Sequence, residues 1–445
     1  MVDAKMIQHK DKNKALYVLG FPIMGIFHIM NRQVVKGLLF LGLECLFLFF
    51  LGTSGVQNIL GLQHLGTRQQ GWEMDESLGI EVLVAGDNSM LILIYGLVAL
   101  IVVVVFAFLY RSYVSSLKHL VQLKEENKPI PTFRDELKSL LDERFHLTLL
   151  SIPSLAVILF TVTPLIYMIT IAFTSFDHTH LPPKNLFSWV GFSNFGNVLT
   201  GRMSETFLPV LVWTIIWATC ATITCFIFGI LLAMFIQKKT IQGKKFYRGI
   251  FVLTIAVPQF VSLLIMSNLF HSSGPINEGL LSLGIIQNPI PFLTDPLIAK
   301  IFVIFINMWI GIPVYMLIST GVIMNLPQDQ IEAAKIDGAT SFQIFQKITL
   351  PQIIFVMTPN LIQQFIGNIN NFNVIYLLTA GGPANSNYYG AGSTDLLVTW
   401  LYKLTVEKSD YNLASVIGIL TFVFSAIFSL ILYTRSNAFK FEGEL

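Results

Sequence analysis

The segment Ile331 to Pro351, IEAAKIDGATSFQIFQKITLP, is a moderately polar stretch between two long apolar runs, and it reads as a docking surface and not as a membrane span. Pro327 stands where the first turn of a helix tolerates a missing N–H, so Gln328 to Asp337 is expected to form a short helix. Gly338 ends it, because glycine adopts the left-handed conformation of a helix stop without steric cost. Thr340 followed by Gln343 has the spacing of a capping box that opens a second helix. The product is a helix-turn-helix elbow. Ala333 and Ala334 have side chains too small to hold a partner at a distance, and Glu332 beside them offers a carboxylate for a charge-assisted bond. The surface expected to be gripped is Glu332, Ala333, Ala334, Asp337, Gly338 and Ala339. The competing reading is an amphipathic linker lying in the headgroups.

The surrounding composition decides the environment. Of 445 residues 54% are hydrophobic and 12% charged, with a mean hydropathy of +0.67, which places the chain among all-helical polytopic membrane proteins. A span takes roughly 20 apolar residues, and about eight segments qualify: 35–53, 89–110, 147–173, 207–236, 247–271, 298–324, 352–378 and 411–434. Lys and Arg sort by side. Lys5, Lys10, Lys12, Lys14, Arg32 and Lys36 precede the first span, 111–144 is basic though mixed, and Lys238, Lys239, Lys244, Lys245 and Arg248 crowd a third connection. The connection 54–88 carries Glu73, Asp75, Glu76, Glu81 and Asp87 against Arg68 alone. By the positive-inside rule both termini and the elbow are then cytoplasmic. The expected division is a cytoplasmic or interfacial segment (1–34), two N-terminal spans (35–110), a cytoplasmic linker (111–146), a six-span core (147–434) with the elbow at 327–351, and a cytoplasmic tail (435–445). Residues 16–30 lack a convincing cleavage pattern and are expected to form an interfacial helix.

Much chemistry is absent. A net charge of +2 sorted by side leaves no nucleic-acid patch. There is no GxxxxGK[ST] loop, so the chain is not its own ATPase. Cys45, Cys220 and Cys225 lie in apolar spans and read as packing residues. His178 and His180 sit in a loop beside Pro182 and Pro183, where a solvated turn outweighs a metal site. No catalytic constellation is present, and no enzyme is expected.

Asparagine inside a span is costly unless paired. In QQFIGNINNFNVIYL (363–377), Gln364, Gly367, Asn368 and Asn371 share one helical face, and Asn307, Ile310, Gly311 and Val314 do so in the preceding span. Two such faces would line a cavity with amides, which suits an uncharged, hydroxyl-rich solute. The alternative is that these amides join helices. Glu44, in the middle of the first span, is an intramembrane ionisable group; it pairs either with a base on a neighbouring helix or, protonated, within the bundle. Pro153, Pro164, Pro258 and Pro313 are expected to kink or break their spans.

The EAA of Glu332 to Ala334, with Gly338, Ile348, Leu350 and Pro351, resembles the EAA loop of ABC-importer permeases. From about Trp189 onward the chain resembles the larger permease subunit of maltose/maltodextrin importers, through WVGFSNF (189–195), AVPQFVSLLIMSNLF (256–270), NMWIGIP (307–313), NINNFNVIYLLTAGGP (368–383) and STDLLVTWLYK (393–403). The two additional N-terminal spans fit the same subunit. The resemblance implies a type I importer permease fold with the elbow as coupling helix and Glu332 facing an ATPase. It also implies a second, smaller permease, two ABC ATPase copies, an extracellular solute-binding protein, an oligosaccharide substrate and surrounding membrane lipid, with ATP and Mg used by the ATPase and no cofactor bound by this chain. It further implies that the tail SNAFKFEGEL touches the ATPases. Of the family's sugar contacts, Asn307, Ile310, Gly311, Asn368 and Asn371 match in kind. Gln364 stands where the family has serine, Gly367 where it has an aromatic ring, and Val314 where it has tyrosine, with Tyr315 next. Two lost rings point toward a longer maltodextrin or another oligosaccharide, such as a galactose-containing one or a cyclodextrin. The connection Thr174 to Thr206 lacks the folded insertion of enterobacterial relatives, so the small loops engage the receptor. A self-sufficient secondary transporter is the rival from another class; it leaves the elbow without work.

Overall fold

The computed structural model describes residues 18–75, 79–126, 128–238 and 240–435. Lys5, Lys10, Lys12, Lys14, Glu76 and Lys239, which entered the expected orientation, and the tail from Ser436 lie outside the described residues. Apolar runs in lipid must satisfy their own backbone polar groups, and these runs fold as helices. Among the described residues six are long and apolar enough to cross a membrane, and a bent pair makes a seventh. The remaining expected span is the 20-residue helix Leu350–Ile369, whose Gln363, Gln364 and Asn368 keep it outside that strongly apolar set. The chain divides into two compact units, Met1–Val190 and Gly191–Leu445.

In the first unit the short helix α1 (Ile26–Met30) precedes the spans α2 (Val34–Gly61), α3 (Ser89–Glu125) and α5 (Phe145–Ile171). Between α3 and α5 lies α4 (Phe133–Leu141). The span at 147–173, grouped with the transport core by sequence, thus belongs to this compact unit, where its second half packs on α3. Residues 20–31 tuck against α2 and α3 through their backbone. The Tyr113 hydroxyl donates to the Gly20 carbonyl, and that of Tyr110 donates to Phe21 O at 3.1 Å. Met24 N–H donates to Glu44 Oε2 at 2.7 Å. Glu44 therefore has a partner that neither sequence reading named, an amide from the segment before its own span. An all-helical chain also left no room for the antiparallel hairpin of β1 (Gly71–Asp75) and β2 (Ile80–Val84), in which Trp72 faces Leu83 and Glu73 faces Val82. Trp72 and the alternating Ile80, Val82 and Val84 are the β-formers it holds.

The second unit holds α6 (Ser193–Leu199), α7 (Ser204–Gln237), the bent pair α8 (Lys244–Ala256) and α9 (Gln259–Leu269), α10 (Pro275–Ser282) and α11 (Pro296–Met324). The elbow helices α12 (Gln328–Ile336) and α13 (Ser341–Ile344) lead into α14 (Leu350–Ile369), α15 (Phe372–Thr379), α16 (Leu397–Val406) and α17 (Tyr411–Arg435). Pro258 stands at an 89° bend between α8 and α9, as expected of a residue that cannot donate to the ladder. α11 runs on through Pro313. The core joins Trp213 and Trp217 of α7, Val303 and Ile306 of α11, and Phe365 and Ile369 of α14.

Candidate functional site

The elbow forms from purely local instructions. α12 ends with Asp337 as its C-cap, and Gly338 follows at φ +80. Gly338 N–H donates to Lys335 O at 3.1 Å and Ala339 N–H to Ala334 O at 2.9 Å, the two bonds of a Schellman stop. Thr340 N–H then donates to Gln343 Oε1 at 2.8 Å, and Gln343 N–H to Thr340 Oγ1 at 3.3 Å, closing the capping box that opens α13. Gln352 Nε2 donates to Gln330 Oε1 at 2.9 Å, which ties the elbow to the first turn of α14. Glu332, Ala333, Asp337 and Gly338 are exposed, and Ala334 and Ala339 are half-buried. Two large apolar side chains stand beside them uncovered, Ile336 at 87% and Phe342 at 69% exposure. Sequence reasoning missed both, although an isoleucine at a helix end and a phenylalanine just past its glycine stop are what a gripped surface would use as anchors.

The polar stripe divides into an open and an engaged half. Val314, Gln364 and Gly367 are exposed, and a side chain built on Gly367 would meet nothing within 4 Å. Asn368 is buried. Its Nδ2 donates to Thr222 Oγ1 at 2.9 Å, its carbonyl accepts from Trp217 Nε1 at 3.0 Å, and its Oδ1 accepts from Asn371 Nδ2 at 3.5 Å. Asn371 Oδ1 in turn accepts from Val374 N–H at 3.2 Å, capping α15 after the break in the helix. On α11, Asn307 is buried with Nδ2 on Cys225 Sγ at 3.6 Å. Gly311 lies against the same sulfur, since an added Cβ would stand 2.4 Å from it. Ile310 packs partly buried against the core. Tyr315 does not replace the ring missing at Val314: it is 2% exposed and turned onto α7, edge-on to Phe226 at 6.0 Å. Trp217 and Thr222, which hold Asn368, had only their polar or indole character inside a span to mark them.

Beyond α15 the GGP and STDLLV elements form one clasp. Asp395 is fully buried and accepts from Gly392 N–H at 2.7 Å and Lys403 Nζ at 2.6 Å. Gly381, at φ +77, lets the chain pass this carboxylate, because a Cβ there would lie 1.9 Å from Asp395 Oδ1. Trp213 Nε1 donates to Thr394 O at 3.0 Å and Leu397 N–H to Thr214 Oγ1 at 3.1 Å, seating the clasp on α7. A groove of about 360 Å³ is lined by Ile366, Asn370, Val398, Leu401, Gly418 and Ser425, among others. At about 100° per residue Ile366 and Asn370 lie away from the face of Gln364, Gly367 and Asn371, so this groove is separate from the stripe.

Residues 225–438 match the family model described as binding-protein-dependent transport system inner membrane component. The galactooligosaccharides transport system permease protein GanP of Bacillus subtilis (strain 168) is 36% identical over 444 residues, covering 98% of this chain and 100% of the relative. The maltodextrin transport system permease protein MdxF of the same organism is 36% identical over 445 residues, covering 97% and 98%. The maltose/maltodextrin transport system permease protein MalF of Vibrio cholerae serotype O1 is 38% identical over 251 residues, 54% of this chain and 47% of its own length. Among solved structures, a bacterial ABC transporter involved in the import of the acidic polysaccharide alginate has a TM-score of 0.56 and 23% identity, covering 68% of this chain and 97% of its own, a likeness of fold.

Proposed function

As the chain belongs to the family of binding-protein-dependent transport system inner membrane components, multi-pass membrane permeases of ABC importers, we propose that it forms one half of a translocation pathway for maltodextrin-type oligosaccharides. A second, smaller permease forms the other half, two ABC ATPase copies drive it with ATP and Mg, and an extracellular solute-binding protein delivers the sugar. The termini and the elbow face the cytoplasm. The observation that carries this reading is a self-capped elbow with exposed Glu332, Ile336 and Phe342 leading into the helix that holds Gln364, Gly367 and Asn368, with Asn371 as the N-cap of α15 just beyond its end. An ATPase closing on the elbow moves that helix, and the amide-lined face alternates between the two sides of the membrane.

The open half of the stripe recognises hydroxyls through Gln364 and leaves room over Gly367 and Val314, which favours a chain of sugar units over a single ring stacked on an aromatic residue. Galacto-oligosaccharides are the second reading, supported by a relative of that name at the same 36% identity. Sugar-dependent ATP hydrolysis by the reconstituted complex, with maltose, longer maltodextrins and galacto-oligosaccharides each delivered by the cognate binding protein, separates them. Stimulation by maltodextrins alone is expected. Stimulation by galacto-oligosaccharides alone transfers the assignment to them, and an intact complex answering to no sugar refutes both.

A further inference from the structure

We propose that α4 is a membrane-surface anchor, with its apolar face set into the lipid on the cytoplasmic side and its basic flank against anionic headgroups. The helix closes itself: Thr132 N–H donates to Asp135 Oδ2 at 2.9 Å and Asp135 N–H to Thr132 Oγ1 at 3.4 Å, a complete capping box. At about 100° per residue Phe133, Leu137, Leu140 and Leu141 fall in one arc. All four are uncovered, at 41%, 47%, 38% and 62% exposure. A short helix with such an arc and a charged opposite face is the pattern of interfacial helices.

Two tethers set its depth. Lys36 Nζ meets Glu136 Oε1 at 2.6 Å and Gln33 Nε2 donates to Pro131 O at 2.9 Å, which fixes α4 beside the start of α2. At 1.5 Å per residue Lys36 lies about 39 Å along the helix from Leu62, whose carbonyl accepts from Trp189 Nε1, an indole of the kind that marks the headgroup level. A bilayer with its headgroups is about 40–45 Å thick, so a helix docked at Lys36 lies among the opposite headgroups. From the other end, only Asp142, Glu143 and Arg144 separate α4 from the span at Phe145, a tether of at most about 10 Å.

Charge selects the lipid. Glu136 is paired with Lys36, and Asp135 keeps its charge at the N-terminus of α4, turned to its capping box. Exposed Arg134 and Lys138 remain on the flank opposite Glu136, where long basic side chains reach phosphate while their stems cover apolar surface. The inference uses the proposed orientation but not the sugar assignment.

The test uses the full chain in nanodiscs of phosphatidylcholine with phosphatidylglycerol. Cys45 and Cys220 are changed to alanine, buried Cys225 is left in place, and a spin label is attached through Leu137→Cys or Lys138→Cys. The expected result is a severalfold preference for collision with oxygen over a water-soluble nickel chelate at 137, and the reverse at 138. Equal nickel access at the two positions puts the helix in water and overturns the proposal. Shielding of 137 from both reagents means that protein covers the face, and overturns it equally. In phosphatidylcholine alone the oxygen preference at 137 should fall; no change removes the role of the basic flank.

Discussion

Replacing Thr222 by valine removes one hydroxyl at nearly constant volume and takes away the acceptor of the Asn368 side chain, 2.9 Å away. Thr222 and Asn368 are 7% and 1% exposed, so water cannot replace the lost partner. An interhelical hydrogen bond of this kind is worth about 0.6–2 kcal/mol, and we expect Thr222→Val to cost about 1–2 kcal/mol. Asn368→Ala loses the same bond, the acceptor of Asn371 and buried volume, and should cost about 2–3 kcal/mol. In the double variant the shared bond is counted once, so the cycle should return a coupling of about 1 kcal/mol. Unfolding of the purified complex measures the stability terms, and sugar-stimulated ATP hydrolysis measures function. Thr222→Val leaves the amide in place and should retain stimulation, whereas Asn368→Ala should lose most of it. A coupling within about 0.3 kcal/mol of zero refutes the bond. Equal functional losses in the two single variants refute the role of Asn368 toward substrate and leave it as a joint between helices.

Glu332→Lys should abolish uptake and weaken ATPase attachment while membrane insertion stays intact; normal uptake would remove Glu332 from the coupling surface. Gly381→Ala should displace the buried Asp395 from Lys403, a loss of about 3–5 kcal/mol for a broken buried pair, seen as a lower melting temperature and weakened receptor stimulation with ATPase attachment unchanged. His28 is fully buried beside Phe40 and Tyr113, and burial, reinforced by Lys36, pushes its pKa down to about 4. Its neutral form is favoured by the fold, so its contribution is complete above about pH 6.5 and is lost as pH falls from there toward about 4, at up to about 1.4 kcal/mol per pH unit. Melting of the wild-type chain should therefore drop faster across that window than melting of His28→Gln, and parallel curves would refute the link.

The backbone of the elbow was legible because its signals lie within a few residues of one another: Pro327, Gly338, and Thr340 with Gln343 need no tertiary information, whereas the exposure of Ile336 and Phe342 was not read. The stripe was legible as an arc but not in its partners. Periodicity groups Gln364, Gly367, Asn368 and Asn371, yet Asn368 lies at the edge where α7 arrives, and nothing in the local sequence announces Trp217 or Thr222. One residue is about 100° of helix, which is why Tyr315 faces α7 and cannot stand in for Val314. The partner of Glu44 is a backbone N–H, and backbone groups leave no trace in a sequence. Asp395 and Lys403 were read only as parts of a motif, because their pairing depends on the chain passing Gly381 closely.

Both polar features bear on the same rod. α14 is 20 residues long, about 30 Å at 1.5 Å per residue, and continues as a helix through Pro359, which removes one rung of its hydrogen-bond ladder. At its near end the wide turn Phe345–Thr349 joins it to the elbow, and at its far end the break after Ile369 separates it from α15. Under the proposed function a displacement imposed at Glu332, Ile336 and Phe342 is carried toward Asn368 along this helix, while the break after Ile369 lets α15 keep its own packing. The hydrogen bonds opposing rotation at the far end are those to Trp217 and Thr222, each worth about 0.6–2 kcal/mol. Buried Phe365 and Ile369 oppose it as well, so a partner's closure must supply more than these two bonds are worth. Under the proposed function, lining the sugar path requires the amide of Asn368 to turn from Thr222, so packing and substrate contact would be successive roles of one side chain.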